Sequence, residues 1–389
     1  MSHEVIKIMV VDDSSVIRGF LTRFIESDPD LKVVATAANG QIAVEQMDRY
    51  VIDVVILDIE MPVMNGLDAL PKIKAKDKAV HVIMASTLTK ENAAVTLRAL
   101  SMGASEALAK PSSATELNAA EDFRLNLISK AKLLGLDAQK RRQVDKTKAE
   151  PQPLTTKNDT KTTTSTTPSP AAPPATVTSK SLLSPQAPLT LRPVQWTGPA
   201  DIIAIGSSTG GPQALVEFLG HLKGSITQPV FITQHMPPTF TTILADQITK
   251  STGFDCREGT DNEAVSQGRF YIAPGNHHMV IKNNHGVPTI HLNQDPPENF
   301  CRPAVDPMLR SLGECYAGKR ILVIILTGMG ADGLKGAEKI ATSHHVMVLA
   351  QDEASSVVWG MPGAVAKAGL CTKIGTLKEL ADSVRSLTK

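Results

Sequence analysis

The chain has 389 residues, too many for one ordinary domain and enough for two, each able to bury its own core. Its formal net charge is +1 and only 4% of its residues are aromatic, so no whole-protein field steers it to nucleic acid or to an anionic membrane surface. The apolar runs, such as Ile321–Leu326, are of core-strand length, and the start MSHEVIKIMVVDD lacks an apolar stretch with a small-residue cleavage site. Neither a membrane span nor a signal peptide is expected. Cys256, Cys301, Cys315 and Cys371 are widely spaced with no C-x-x-C pair, as unpaired thiols in a reducing, cytoplasmic location would be.

In chain order, residues 1–133 alternate β-branched apolar runs with helical patterns. Strands are predicted at Ile6–Val11, Lys32–Thr36, Val54–Leu57, His81–Met84 and Glu106–Ala109, and helices at Ser14–Glu26, Gly40–Arg49 and Lys90–Ser101. This βα rhythm predicts a doubly wound parallel sheet with helices on both faces. Residues 134–198, rich in Thr, Pro and Ser, carry too few apolar side chains to offset ordering entropy and are predicted to be a disordered tether. The Lys140–Arg142 cluster at its start reads as a solvated helix end, with binding to an acidic surface as the alternative. From 199 to 389 the rhythm resumes, with strands expected at Ile202–Ile205, Val230–Gln234, Arg269–Ile272, Ile321–Leu326 and Val346–Gln351, a second α/β domain.

In the first domain Asp12 and Asp13 follow one strand and Asp58 follows another. Carboxyl ends of parallel strands share an edge, and three carboxylates converging there repel one another unless a cation intervenes. Oxygen-only ligation with open water positions suits Mg²⁺, which also accepts phosphate oxygens. Lys110 and Ser86 close two further runs at that edge, where an ammonium and a hydroxyl would meet a phosphoryl group on Asp58. Taken singly, Asp13 or Ser14 caps a helix and Asp58 begins a turn; five such groups at strand ends of one unit point to a site. This arrangement resembles the response-regulator receiver family through VVDDSSVIR, LDIEMPVMNG, MAST and AKP. The resemblance implies phosphorylation of Asp58 by a histidine kinase, Asp12, Asp13 and Asp58 as Mg²⁺ ligands, Ser86 sensing the phosphoryl group and Lys110 pairing with it. Ala107 stands where receivers often carry an aromatic, so an aromatic-rotamer relay is not expected.

In the second domain the strand DIIAI runs into Gly206-Ser207-Ser208-Thr209-Gly210-Gly211 and then a helical pattern, which fits G-x-S-x-G with Ser208 at the elbow. Unsatisfied amides at the helix start are available to an oxyanion. As a phosphate cradle the loop lacks the P-loop lysine. The next strand ends at His235, a candidate general base, and ILVIILT opens into Gly328-Met329-Gly330-Ala331-Asp332-Gly333, which offers Asp332 as orienting acid and the Met329 amide. The order Ser208…His235…Asp332 differs from that of α/β-hydrolases, and triads are recognised by geometry. Gly328, Gly330 and Gly333 also fit a dinucleotide fingerprint, with Asp352 or Glu353 about 20 residues on; that reading places Asp332 near a pyrophosphate and leaves Ser208 and His235 without a role. A zinc site from His277, His278, His285 and His291 lacks a familiar ligand spacing.

With both halves in view, the chain resembles the chemotaxis-type protein-glutamate methylesterase family (CheB) through AIGSSTGGPQAL, ITQHMPPTF, YIAPGNHHM, CRPAVDPMLRS, LTGMGADG and WGMPGAV. The resemblance implies a flavodoxin-like receiver followed by a Rossmann-like esterase domain. It implies removal of methyl esters from glutamates of methyl-accepting chemotaxis receptors, with methanol released, and deamidation of receptor glutamines. Ser208 would be the nucleophile, His235 the base, Asp332 the orienting acid, and Thr209 and Met329 the oxyanion candidates, with no cofactor for hydrolysis itself. The unphosphorylated receiver is expected to pack over the rim carrying Ser208 and His235. The competing class is a receiver-controlled interaction module whose hydrolase site has decayed.

Overall fold

The computed structural model describes residues 4–86, 90–110, 117–149, 189–194, 196–343 and 345–388. Most of the expected tether, 150–188, lies outside the described residues, as do 87–89 and 111–116. In the first domain the elements are β1 (Ile6–Val11), α1 (Ser15–Glu26), β2 (Leu31–Ala37), α2 (Gly40–Gln46), β3 (Val54–Asp58), α3 (Gly66–Lys76), β4 (His81–Ser86), α4 (Lys90–Ser101), β5 (Glu106–Ala109) and α5 (Leu117–Ala149). The sheet is parallel in the order β2-β1-β3-β4-β5. Its central strands β1, β3 and β4 are buried on both faces, as expected inside a parallel sheet, while the edge strand β2 is partly exposed.

Helix α5 continues to Ala149, so the boundary expected after residue 133 falls inside it. The extension has a physical cause the local composition does not reveal. Leu134 and Ala138 are buried, Gln139 donates to Asp53 Oδ2 at 3.0 Å, and Arg142 pairs with Asp53 and, at 2.7 Å, with Asp77 Oδ2. The Lys140–Arg142 cluster is therefore engaged within the molecule and is not a solvated helix end.

The second domain runs β6 (Ile202–Ser207), α6 (Gly211–Gly220), β7 (Val230–Gln234), α7 (Phe240–Thr252), β8 (Asp255–Glu258), β9 (Arg269–Ile272), β10 (His278–Asn284), β11 (Val287–Asn293), α8 (Val305–Cys315), β12 (Ile321–Ile325), α9 (Leu334–Ile340), β13 (Val346–Gln351), α10 (Met361–Lys367), β14 (Cys371–Gly375) and α11 (Leu377–Ser386). A parallel seven-stranded sheet is ordered β14-β13-β12-β6-β7-β9-β8, and β10 and β11 form a separate antiparallel hairpin. Both domains are thus parallel-sheet α/β units, as the βα rhythm predicts.

The domains touch along α4, β5 and α5 of the first. Leu97, Leu100 and Ala104 belong to the same apolar cluster as Ala214 and Leu215 of α6, and Ala107 packs against it. Gln213 Nε2 donates to Ala104 O at 3.0 Å. Arg141 Nη2 donates to Ser356 O at 3.1 Å, and Val358 packs with Leu108 and Phe123.

Candidate functional site

The seven-stranded sheet changes its direction of winding between β6 and β12. From β6 the chain steps to β7, and from β12 it steps the opposite way to β13. Loops part at such a switch point and leave a crevice outside the carboxyl ends. Ser208 leaves β6 and the Gly328–Asp332 loop leaves β12, so both fall there. Gln234 at the end of β7 is paired with Ser207, and the His235 amide donates to Ser207 O at 3.2 Å. One residue beyond that pairing, Ser208 and His235 are neighbours on strands roughly 4.8 Å apart.

The turn presenting Ser208 is held from several sides. Its amide donates to Thr327 O at 3.0 Å, and its carbonyl accepts from Gln234 Nε2 at 2.8 Å, while Ser207 Oγ donates to Gln234 Oε1 at 2.7 Å. A Cβ at Gly211 would lie 1.9 Å from that Oε1, so only glycine fits. Gly210, at φ +76°, caps α6 without a side-chain hydrogen bond, which leaves first-turn amides for a ligand. A Cβ at Gly328 would lie 2.9 Å from Ser208 Cβ; the backbone leading to Met329 therefore runs against the elbow.

Asp332 is 1% exposed and fully engaged. Its Oδ2 accepts from His235 Nε2 at 2.7 Å and from the Val305 amide at 2.6 Å. Its Oδ1 accepts from the Asp306 amide at 3.0 Å and from Asn299 Nδ2 at 2.9 Å. Burial opposes its charge, but His235 and these amides outweigh that and hold its carboxyl below the usual range. Burial also works against a charged His235; the sulfur of Cys301 and the Asp332 carboxylate overcome it and raise the imidazole above its ordinary value. Nε2 is committed to Asp332, and Cys301 also hydrogen-bonds the ring. Among the described residues no hydrogen bond joins the Ser208 hydroxyl to the ring, and such contacts commonly close only when substrate binds.

Cys301, Asn299 and Asp306 were not singled out from the sequence. They come from the loop before α8 and from its first turn, within ENFCRPAVDP, where no strand end marks them. Asp306 is raised by burial against the pull of the Gly336 amide, and the Asp332 charge adds to the rise. The Thr209 hydroxyl donates to Glu106 Oε2 of β5 at 2.5 Å, an oxygen that also pairs with Lys130 Nζ at 2.6 Å.

The two rival readings lose ground here. The glycine loop after β12 is filled by Asp332 and packed on Ser208, and Asp352 accepts from Ser355 N at 2.9 Å, leaving neither for a dinucleotide. His277 and His278 bond backbone carbonyls, and His291 pairs with Asp261; among the described residues no histidine belongs to a group able to hold a metal ion.

At the edge of the first sheet, one oxygen from each of Asp12, Asp13 and Asp58 lies within 4.8 Å of the others. This all-oxygen set fits Mg²⁺. Lys110 Nζ bridges Asp12 Oδ2 at 2.6 Å and Asp58 Oδ1 at 2.7 Å. Burial raises the Asp58 carboxyl, Lys110 opposes the rise and Asp12 adds to it. Ser86 Oγ is 2.9 Å from Thr96 Oγ1 of α4 and bonds there. Ser14 does cap α1, through the Ile17 amide, while Asp13 is exposed.

Residues 203–384 match the CheB methylesterase family, and residues 8–121 the response regulator receiver domain. A protein-glutamate methylesterase/protein-glutamine glutaminase of Rhodospirillum centenum is 52% identical over 98% of this chain and 93% of its own. Proteins of the same name from Azospirillum brasilense and Rhodospirillum rubrum are 49% and 50% identical, over 98% and 99% of this chain and 92% and 96% of theirs. Among the described residues no helix is long and apolar enough to cross a membrane. Likeness of this degree across both domains means that the chain belongs to the protein-glutamate methylesterase/protein-glutamine glutaminase family, with a receiver domain ahead of a CheB methylesterase domain.

Proposed function

We propose that Ser208, His235 and Asp332 are the hydrolytic triad of this receiver-controlled methylesterase, acting on glutamate methyl esters of methyl-accepting chemotaxis receptors and on receptor glutamines. The observation that carries the reading is the buried His235–Asp332 pair beside the Ser208 elbow at the sheet's switch point. Ser208 Oγ attacks the γ-carbonyl as His235 takes its proton. The ester C–O bond then breaks, and the imidazolium returns the proton to the departing methoxide, giving methanol and an acyl-serine. Water, deprotonated by the same imidazole, cleaves the acyl-serine to glutamate. For glutamine the leaving group is ammonia. General-base catalysis contributes about 10²–10⁴-fold, and each well-aimed oxyanion donor about 2.7–4 kcal/mol; the Met329 amide and the α6 start are the donors at hand.

Asp58 is the phosphoryl acceptor for a histidine kinase. Asp12, Asp13 and Asp58 would hold Mg²⁺, which would supply positive charge to the incoming phosphoryl oxygens. Lys110 is already between two of these carboxylates and pairs with the new group. In the unphosphorylated state the receiver lies against Thr209 and Gln213, next to the nucleophile, which supports occlusion of the site by its own regulatory domain. Methanol release from methylated receptors by wild type and by Ser208→Ala tests the hydrolytic reading. The variant is expected to lose at least about 10⁴-fold; equal release would leave only an interaction module.

A further inference from the structure

We propose that Phe300 is the residue that anchors the receptor helix beside the nucleophile, a role that rests on the receptor being the substrate. Glu298 and Cys301 exchange backbone hydrogen bonds, Glu298 N to Cys301 O at 3.1 Å and Cys301 N to Glu298 O at 2.9 Å. Asn299 and Phe300 between them have φ of +52° and +62°. A two-residue turn with both central residues at positive φ favours Asn-Gly, because a Cβ at the second position is strained. Here that position holds phenylalanine, and its side chain is 100% exposed. Among the described residues nothing packs on the exposed ring in return for the backbone strain, and we assign its partner to the substrate.

The flanks of the turn say which partner. Asn299 bonds the catalytic acid, with Nδ2 2.9 Å from Asp332 Oδ1 and 3.0 Å from Asp306 Oδ2. Cys301 lies against His235. Glu298, on the far side, is fixed by Arg310 Nη1 at 3.0 Å. The ring is thus carried on a rigid turn whose neighbours touch two members of the triad, and whatever presents an ester to Ser208 passes beside it. The receiver engages the site from the Thr209 side, and among the described residues Phe300 stays uncovered. An occupant of this place is a helix with an apolar strip next to the modified glutamate, since the ring offers area and no charge.

The test uses the full-length chain with acetyl phosphate and Mg²⁺ present. Methanol release from methylated receptor in membranes is compared with hydrolysis of p-nitrophenyl acetate, a probe with no helix. Phe300→Gly is expected to raise KM on the receptor about 5- to 30-fold, the scale of an aromatic losing part of its apolar contact. It should leave kcat within about twofold and melt no lower than wild type, because glycine suits the turn. Phe300→Leu should recover most of the receptor affinity. An unchanged KM in Phe300→Gly overturns the anchoring role, as does an equal loss on the small ester, which would mean the turn had disturbed the triad. Wild type that cleaves the small ester yet releases no methanol would remove the receptor reading, and this inference with it.

Discussion

The contact between Thr209 Oγ1 and Glu106 Oε2 is the tie between regulator and nucleophile that is most open to measurement. Glu106→Ala removes it without touching a group in the esterase crevice. The bond is 2.5 Å long and joins a hydroxyl to a carboxylate oxygen that also pairs with Lys130 at 2.6 Å, in a partly buried setting. Charge-assisted bonds of this kind contribute about 1.5–3 kcal/mol. Other polar ties across the interface are Gln213 to a carbonyl, the Arg141 guanidinium to the Ser356 and Val357 carbonyls and the exposed Lys140–Glu353 pair, a class worth about 0–1 kcal/mol. Losing 1.5–3 kcal/mol shifts the closed-to-open ratio by about 10- to 150-fold. Methanol release by the unphosphorylated variant should rise by that factor, up to the ceiling set by fully phosphorylated wild type, and its stimulation by acetyl phosphate should shrink correspondingly. Unphosphorylated and phosphorylated rates both within twofold of wild type would refute the reasoning, because the receiver would then inhibit through some other contact or not by occlusion.

Asp332→Asn should lower kcat by about 10⁴, because His235 Nε2 would face an uncharged partner; a loss below tenfold would dismiss Asp332 as the orienting acid. The pH profile of kcat/KM carries a sign that can be worked out. A base must be neutral to act, and surroundings that raise His235 keep it protonated to higher pH, so the rising limb should have its midpoint above about 6.5, the unperturbed histidine value. Cys301→Ala removes one of the two groups that hold that proton and should move the midpoint down; a midpoint that stays or rises speaks against the contact.

The proposed triad could be read from the sequence because Ser208 and His235 directly follow β6 and β7, and Asp332 sits on the glycine loop that leaves β12; an apolar run ending in a polar residue can be read without knowing the neighbours. Strand order is what brings them together, and the chemistry of the residue types is enough to suggest it. Asn299 and Cys301 were illegible for the opposite reason. Their loop is placed by the β10–β11 hairpin and α8, and that hairpin, HMVIKNN and VPTIHLN, breaks the βα rhythm on which the domain was read. Strand β8, Asp255–Glu258, escaped because its single buried residue, Cys256, leaves no apolar run. The extension of α5 is held by Arg142 reaching Asp53 and Asp77, partners more than sixty residues away, which no local window reports.

How a charge on Asp58 reaches Thr209 follows from which bonds already exist. Asp58 shares the Lys110 ammonium with Asp12. A phosphoryl group brings about −1.5 to −2 charge and three acceptor oxygens, so it outbids Asp12 for that ammonium and offers the Ser86 hydroxyl a stronger acceptor than Thr96. Ser86 turning toward it breaks the bond that ties β4 to α4. Leu97 and Leu100 of α4 sit in the apolar cluster shared with α6, and β5, which carries Glu106, is the next strand after β4. Ala107 offers no bulky ring to toggle, so the coupling we propose for this chain passes through the α4 surface. The shift required is small: loosening one interdomain bond of the strength of Thr209–Glu106 covers the 1–3 kcal/mol typical of allosteric coupling. Thr96→Val separates this route from any other, since it removes the competing hydroxyl without altering the acceptor site. Phosphorylation should then stimulate methanol release less than in wild type, and undiminished stimulation would mean that the Ser86–Thr96 bond is a bystander.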